Sequence, residues 1–195
     1  PARDVRRRGR PVNPARAPEA KRLFVACDLP SDTGAGIAEW QRRTLAPRAE
    51  LRVASTLHLT LCFLGDVPNA RIPALEEALR AVSFSPLRLD VSGVLFLPAR
   101  GAKRVVALEL FDHGGALAAL QADVSRALAD RRPHTPEKRR FLPHVTVARY
   151  RHPGPPFSLQ NVNVPGFCVS QMVLYSSLLE RAGAVHVPAA LFTAS

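Results

Sequence analysis

An α+β domain of two similar lobes is predicted by three observations. Strand-like and helical stretches alternate twice along the 195 residues, a His-x-Thr pattern among apolar neighbours occurs once in each half, and 47% of residues are hydrophobic against 22% charged. That length and composition suit one domain with a sizeable core and exclude a wholly disordered or fibrous chain. No apolar run approaches the ~20 residues of a membrane-spanning helix, and the arginine-rich start has no apolar stretch behind it. Neither a membrane nor a secretory reading fits, so the cytoplasm is the expected compartment.

Residues 1–20 are rich in Pro, Ala and Arg without a periodic apolar face, and predict a disordered basic tail ahead of a domain over 21–195. Lys+Arg 27 against Asp+Glu 16 leaves a net charge of +11, of which residues 1–22 carry +6 and the rest +5. The tail suits either contact with RNA phosphates or simple solvation.

The first strand is read at 23–29, bounded by Pro30. Ser31 is read as the cap of a helix with Ile37, Trp40, Thr44 and Leu45 on one face, stopping near Pro47. A strand at 57–64 ends at Gly65-Asp66-Val67-Pro68. Asn69 then caps a helix lined by Ile72, Leu75, Leu79 and Val82, with Pro73 in its first turn. Strands at 87–97 and 104–111 flank a turn at 98–101 and form a hairpin. A helix striped by Leu117, Leu120, Val124 and Leu128 follows, then a basic stretch at 131–140, a strand at 141–150, a loop at 153–156, and strand-like segments at 167–175 and 185–192. Cys27, Cys62 and Cys168 are too far apart for a zinc finger or a disulfide framework and read as buried strand residues.

The chemistry lies in Leu57-His58-Leu59-Thr60-Leu61 and Pro143-His144-Val145-Thr146-Val147. Residues i and i+2 of a strand share a face, so His58 and Thr60 point away from the core that takes Leu59 and Leu61, and His144 and Thr146 do likewise. With 6 His in the chain, chance supplies roughly 0.2 copies of His-x-Thr; two, one per half, favour function over ordinary strand histidines. Paired imidazoles suit phosphodiester chemistry: one takes a proton from water and the other gives one to the departing oxygen. The scheme requires no metal and no cofactor. Thr60, Thr146 and Arg149 are candidates to bind the phosphoryl oxygens.

LHLTLCFLG at 57–65 and LPHVTVARY at 142–150 resemble the two-histidine (2H) phosphoesterase superfamily, and within it the RNA 2′,3′-cyclic phosphodiesterases, also described as bacterial 2′-5′ RNA ligases. RLFVACDLP at 22–30 is similar to that family's opening strand, and VLYSSLLERAG at 173–183 to its closing strand and turn. The resemblance implies two pseudo-symmetric lobes, each a mainly antiparallel sheet with helices outside, facing across a central cleft. It implies opening of an RNA 2′,3′-cyclic phosphate end to a 2′-phosphate, with reverse 2′-5′ ligation by the same bond chemistry. His58 would be proton donor and His144 acceptor. Arg149, five residues after the second histidine, matches the family's phosphate-binding position, although strict alternation from His144 puts it on the opposite face unless a bulge, a strand end or a long reach intervenes.

Rival readings are a phosphodiesterase for a small cyclic nucleotide or an ADP-ribose derivative, and an RNA-binding domain without catalysis. His113, His134, His152 and His186 read as scattered in loops or element ends, and Ser176 and Ser177 as structural. Phe63, Phe141 and Tyr150 lie near the motifs and suit base stacking, but Phe63 has the parity of the core-facing Leu61. A monomer is expected.

Overall fold

A computed structural model describes residues 19–129, 140–159, 162–180 and 183–195. Residues 1–18 of the expected tail, His134, and all of the basic stretch except Arg140 lie outside the described residues. The architecture is α+β and its sheet antiparallel. In chain order the elements are β1 (Ala20–Asp28), α1 (Ser31–Thr44), β2 (Leu51–Val53), β3 (His58–Pro68), α2 (Ile72–Arg80), β4 (Leu87–Leu97), β5 (Lys103–Asp112), α3 (Ala116–Ala127), β6 (His144–Gly154), β7 (Phe167–Val169), β8 (Gln171–Glu180) and β9 (Gly183–Thr193).

The strands lie in the order β7-β4-β5-β6-β3-β1-β8-β9, with β2 also on β6. Two halves, β3-β1-β8-β9 and β6-β5-β4-β7, meet where Leu59 pairs with Val145. These are the pseudo-symmetric lobes, but they are not the two halves of the sequence. The C-terminal β8 and β9 add to β1, whose backbone would otherwise form an open edge. Leu23 to Cys27 are therefore buried on both faces of a central strand.

Three helices pack their apolar stripes into the core that contains Leu59 and Val145. Ile37, Trp40 and Gln41 of α1 are buried, as are Leu75, Ala78 and Leu79 of α2 and Leu117, Leu120 and Val124 of α3. The opposite face of β3 and β6 is left to the histidines. Capping differs from the sequence reading. Ser31 is the first helical residue and makes no capping bond; Pro30 holds the cap position, its carbonyl accepting the Gly34 amide at 2.8 Å. Asn69 opens a 3-10 turn, Asn69–Arg71, ahead of α2. The Asp112 carboxylate accepts the Leu117 and Ala118 amides at 2.9 and 3.2 Å and caps α3.

Cys27 and Cys62 are buried as expected, and burial, followed by the Asp28 charge, pushes the Cys27 thiol up to about 12. Cys168 departs from expectation: it is exposed on β7, a three-residue edge strand burying only the residues on either side of it. Among the described residues no helix is long and apolar enough to cross a membrane.

Candidate active site

Both histidine strands begin as period-two strands and then break step. In β3, Leu59 and Leu61 are buried beneath the half-buried His58 and Thr60, but Cys62 is buried too and Phe63 is 68% exposed. Ala26 of β1 lies opposite Thr60 and Val25 opposite Cys62, so Leu61 is the extra residue of a β-bulge. In β6, Ala107 of β5 lies opposite Thr146 and Val106 opposite Ala148, so Val147 is the extra residue, and both Val147 and Ala148 are buried. Each bulge turns the residue five after the histidine onto the histidine's own face. Arg149 thus joins His144 and Thr146 by the bulge its assignment required. Phe63 joins His58 and Thr60, which corrects its expected core packing. Phe141 and Tyr150 instead pack against the core, with Tyr150 donating to the Pro155 carbonyl at 2.8 Å.

The bulge in β6 is pinned from behind. The Val147 carbonyl accepts the Gln41 side-chain amide at 2.7 Å and the Ala54 backbone amide at 2.9 Å. Gln41, only 3% exposed, also donates to the Ala54 carbonyl at 3.1 Å. A buried amide from α1 therefore adds a second donor to the carbonyl of the bulge, beside the backbone amide of Ala54.

Register across the seam orders the rest. One residue either side of the Leu59–Val145 pair, His58 stands opposite Thr146 and Thr60 opposite His144. The outer strands extend both rows, with Asp28 beside His58 and Glu109 beside His144. The histidines are diagonal neighbours, a relation that places residues about 7–8 Å apart.

Their surroundings differ. His144 Nδ1 lies 2.7 Å from the Leu142 carbonyl. A carbonyl only accepts, so Nδ1 carries the hydrogen, and Nε2 of the neutral ring keeps its lone pair. His58 instead sits among rings: Phe24 at 5.1 Å, Tyr175 at 6.4 Å and His186 at 5.2 Å between centroids. Burial, followed by the charges of His186, Arg149 and His144, pushes the His58 imidazole down to about 4. Burial and then Arg149 also lower His186. The Tyr175 hydroxyl donates to Asp28 at 2.6 Å, and burial followed by this bond and the carboxylate's charge raises the phenol.

His186 is the residue that reading along the chain missed. It lies within β9 and reaches His58 only because β8 and β9 return to β1. Its one sequence signal was a polar residue inside the apolar stretch 185–192. The remaining described histidines stay apart: His113 contacts Asp90, and His152 is exposed on β6. Ser176 is buried in β8, consistent with a structural serine.

A sequence profile described as the 2′-5′ RNA ligase superfamily matches residues 29–164. The RNA 2′,3′-cyclic phosphodiesterase of Escherichia coli strain K12 is 32% identical over 178 residues, covering 87% of this chain and 94% of that protein. Its counterpart in Thermus thermophilus is 33% identical over 141 residues, covering 69% and 71%. The crystal structure of E. coli LigT complexed with 3′-AMP is similar with a TM-score of 0.79 at 25% identity, over 91% of this chain and 99% of that one. The T. thermophilus protein TT0787 is similar with a TM-score of 0.77 at 26% identity, over 88% and 97%. With the profile spanning well over half of its length and the E. coli relative matched over 94% of its own, the chain belongs to the 2′-5′ RNA ligase superfamily.

Proposed function

We propose that this protein is an RNA 2′,3′-cyclic phosphodiesterase that opens the terminal ring to a 2′-phosphate by paired histidine acid and base catalysis. The observation that carries the reading is the diagonal placement of the two His-Thr pairs about Leu59 and Val145, a separation suited to bracketing one phosphoryl group. Similarity to relatives named for this activity supports it.

In the proposed reaction His144 Nε2 takes a proton from water as the water oxygen bonds to phosphorus. The bond from phosphorus to O3′ breaks, and O3′ takes the proton of His58. A 2′-phosphomonoester and a free 3′-hydroxyl result, and the histidines recover their protonation states from solvent. Thr60, Thr146 and Arg149 stabilise the charge on the equatorial oxygens. The division of roles follows from the surroundings. His144, anchored through Nδ1, presents a lone pair, while His58 shares its strand face with the exposed ring of Phe63, which suits the nucleoside side and hence the leaving oxygen. His58 is uncharged in the empty site. The incoming phosphate offsets the charge of Arg149 and lets His58 take up its proton, so loading the acid accompanies binding. Ligation is the same exchange in reverse, with a ribose hydroxyl in place of water.

The test is turnover of an oligonucleotide ending in a 2′,3′-cyclic phosphate, in excess chelator, by the native protein and by His58→Ala and His144→Ala. Each substitution is expected to cost about 100-fold or more in kcat, with phosphorus NMR reporting a 2′ product. Turnover restricted to small phosphodiesters supports the rival substrate class. RNA binding without turnover refutes catalysis.

A further inference from the structure

The two His-x-Thr strands are related about one seam, yet their imidazoles are held by unlike means. His144 has the Leu142 carbonyl. Among the described residues no protein group hydrogen-bonds the His58 ring, which is held by packing. His186 stands edge to face against it at 88° and 5.2 Å, and is itself wedged at 77° and 4.9 Å against Phe24, the ring that flanks His58.

A phenylalanine would fill that wedge without desolvating a polar atom. His186 instead brings an Nδ1 that is closed from solvent and has no hydrogen-bond partner among the described residues. An imidazole kept at such a cost needs a reason other than packing. The groups facing His58 supply one. They are Asp28 on β1, Tyr175 on β8, His186 on β9, and His144 and Arg149 on β6. The one carboxylate among them already accepts the Tyr175 hydroxyl, and the other charges are cationic or become so on protonation.

We propose that His186 is a positioning residue of the active site, a third histidine that fixes the plane of the His58 ring. The inference rests on the catalytic reading of His58. His186 lowers the proton affinity of His58 in the empty site, and so does Arg149.

His186→Phe keeps a ring in the wedge and removes its titratable nitrogens; His186→Ala removes both. Titration of the His58 ring by NMR, without substrate, is expected to move to higher pH by half a pH unit or more in His186→Phe. In turnover of the cyclic-ended oligonucleotide, His186→Ala is expected to lower kcat about tenfold with KM within about twofold, as a misaligned acid does. His186→Phe should retain most of kcat near neutral pH and move the alkaline limb of the pH profile, where the acid loses its proton, to higher pH. An unchanged His58 titration in His186→Phe, or native kcat in His186→Ala, overturns the proposal. Failure of the native protein to turn over any cyclic end refutes the phosphodiesterase reading instead, and is seen separately from the titration.

Discussion

Replacing His58 with glutamine should make the fold less sensitive to acid. In the unfolded chain the imidazole titrates near its ordinary value of 6.5, whereas in the fold it is held down to about 4, first by burial and then by His186, Arg149 and His144. Unfolded chains therefore bind a proton here that folded chains refuse, and stability falls as pH drops from 6.5 toward 4. Integrated over that window, the native protein loses about 2 kcal/mol between neutrality and a pH of about 5 through this one ring, and about 3 kcal/mol at the plateau. Partial exposure of the ring trims the first figure to about 1–2 kcal/mol. The amide of the His58→Gln variant has no such proton to refuse. Urea denaturation of both proteins near neutrality and near a pH of about 5, with m-values shared, isolates the difference. The stability gap should shift in favour of the variant by about 1–2 kcal/mol on acidification. Parallel losses in the two proteins would refute the assignment of a refused proton to His58.

Gln41→Leu should cost about 1 kcal/mol, because it removes one of the two donors of the Val147 carbonyl and leaves the Ala54 amide. It should also raise KM, since the bulge that aims Arg149 loses its pin; denaturation and steady-state kinetics check the two effects separately. Phe63→Ala should change stability by less than about 0.5 kcal/mol, since the side chain is 68% exposed. It should weaken binding of an oligonucleotide ending in a 2′,3′-cyclic phosphate to the His144→Ala protein by about fivefold or more, the lower range for loss of one stacked ring, which calorimetric titration measures.

Much of the site was legible because strand parity is local. His58 with Thr60 and His144 with Thr146 fall on one face by the pleat alone, and the helix stripes of Leu75 with Leu79 and Leu117 with Val124 follow from the helical period. What escaped depends on distant partners. The adjacent apolar pairs Leu61-Cys62 and Val147-Ala148 read as ordinary core until register shows one extra residue in each. β3 continues past its expected end because Gly65 takes a φ of 70° and lets pairing with β1 run on to Pro68. β2 is three residues long and has no period to detect. The segment 167–175 is two strands, β7 and β8, in opposite halves of the sheet. His186 carries no motif, and only the return of the C-terminal hairpin to β1 gives it a neighbour.

The seam at Leu59 and Val145 makes the two His-Thr pairs interchangeable by rotation, so nothing in the motifs says which ring donates and which accepts. Polarity enters from outside them, through a carbonyl behind one ring and a jacket of aromatics around the other. In the proposed reaction the direction of proton transfer is therefore set by these walls and not by the four motif residues.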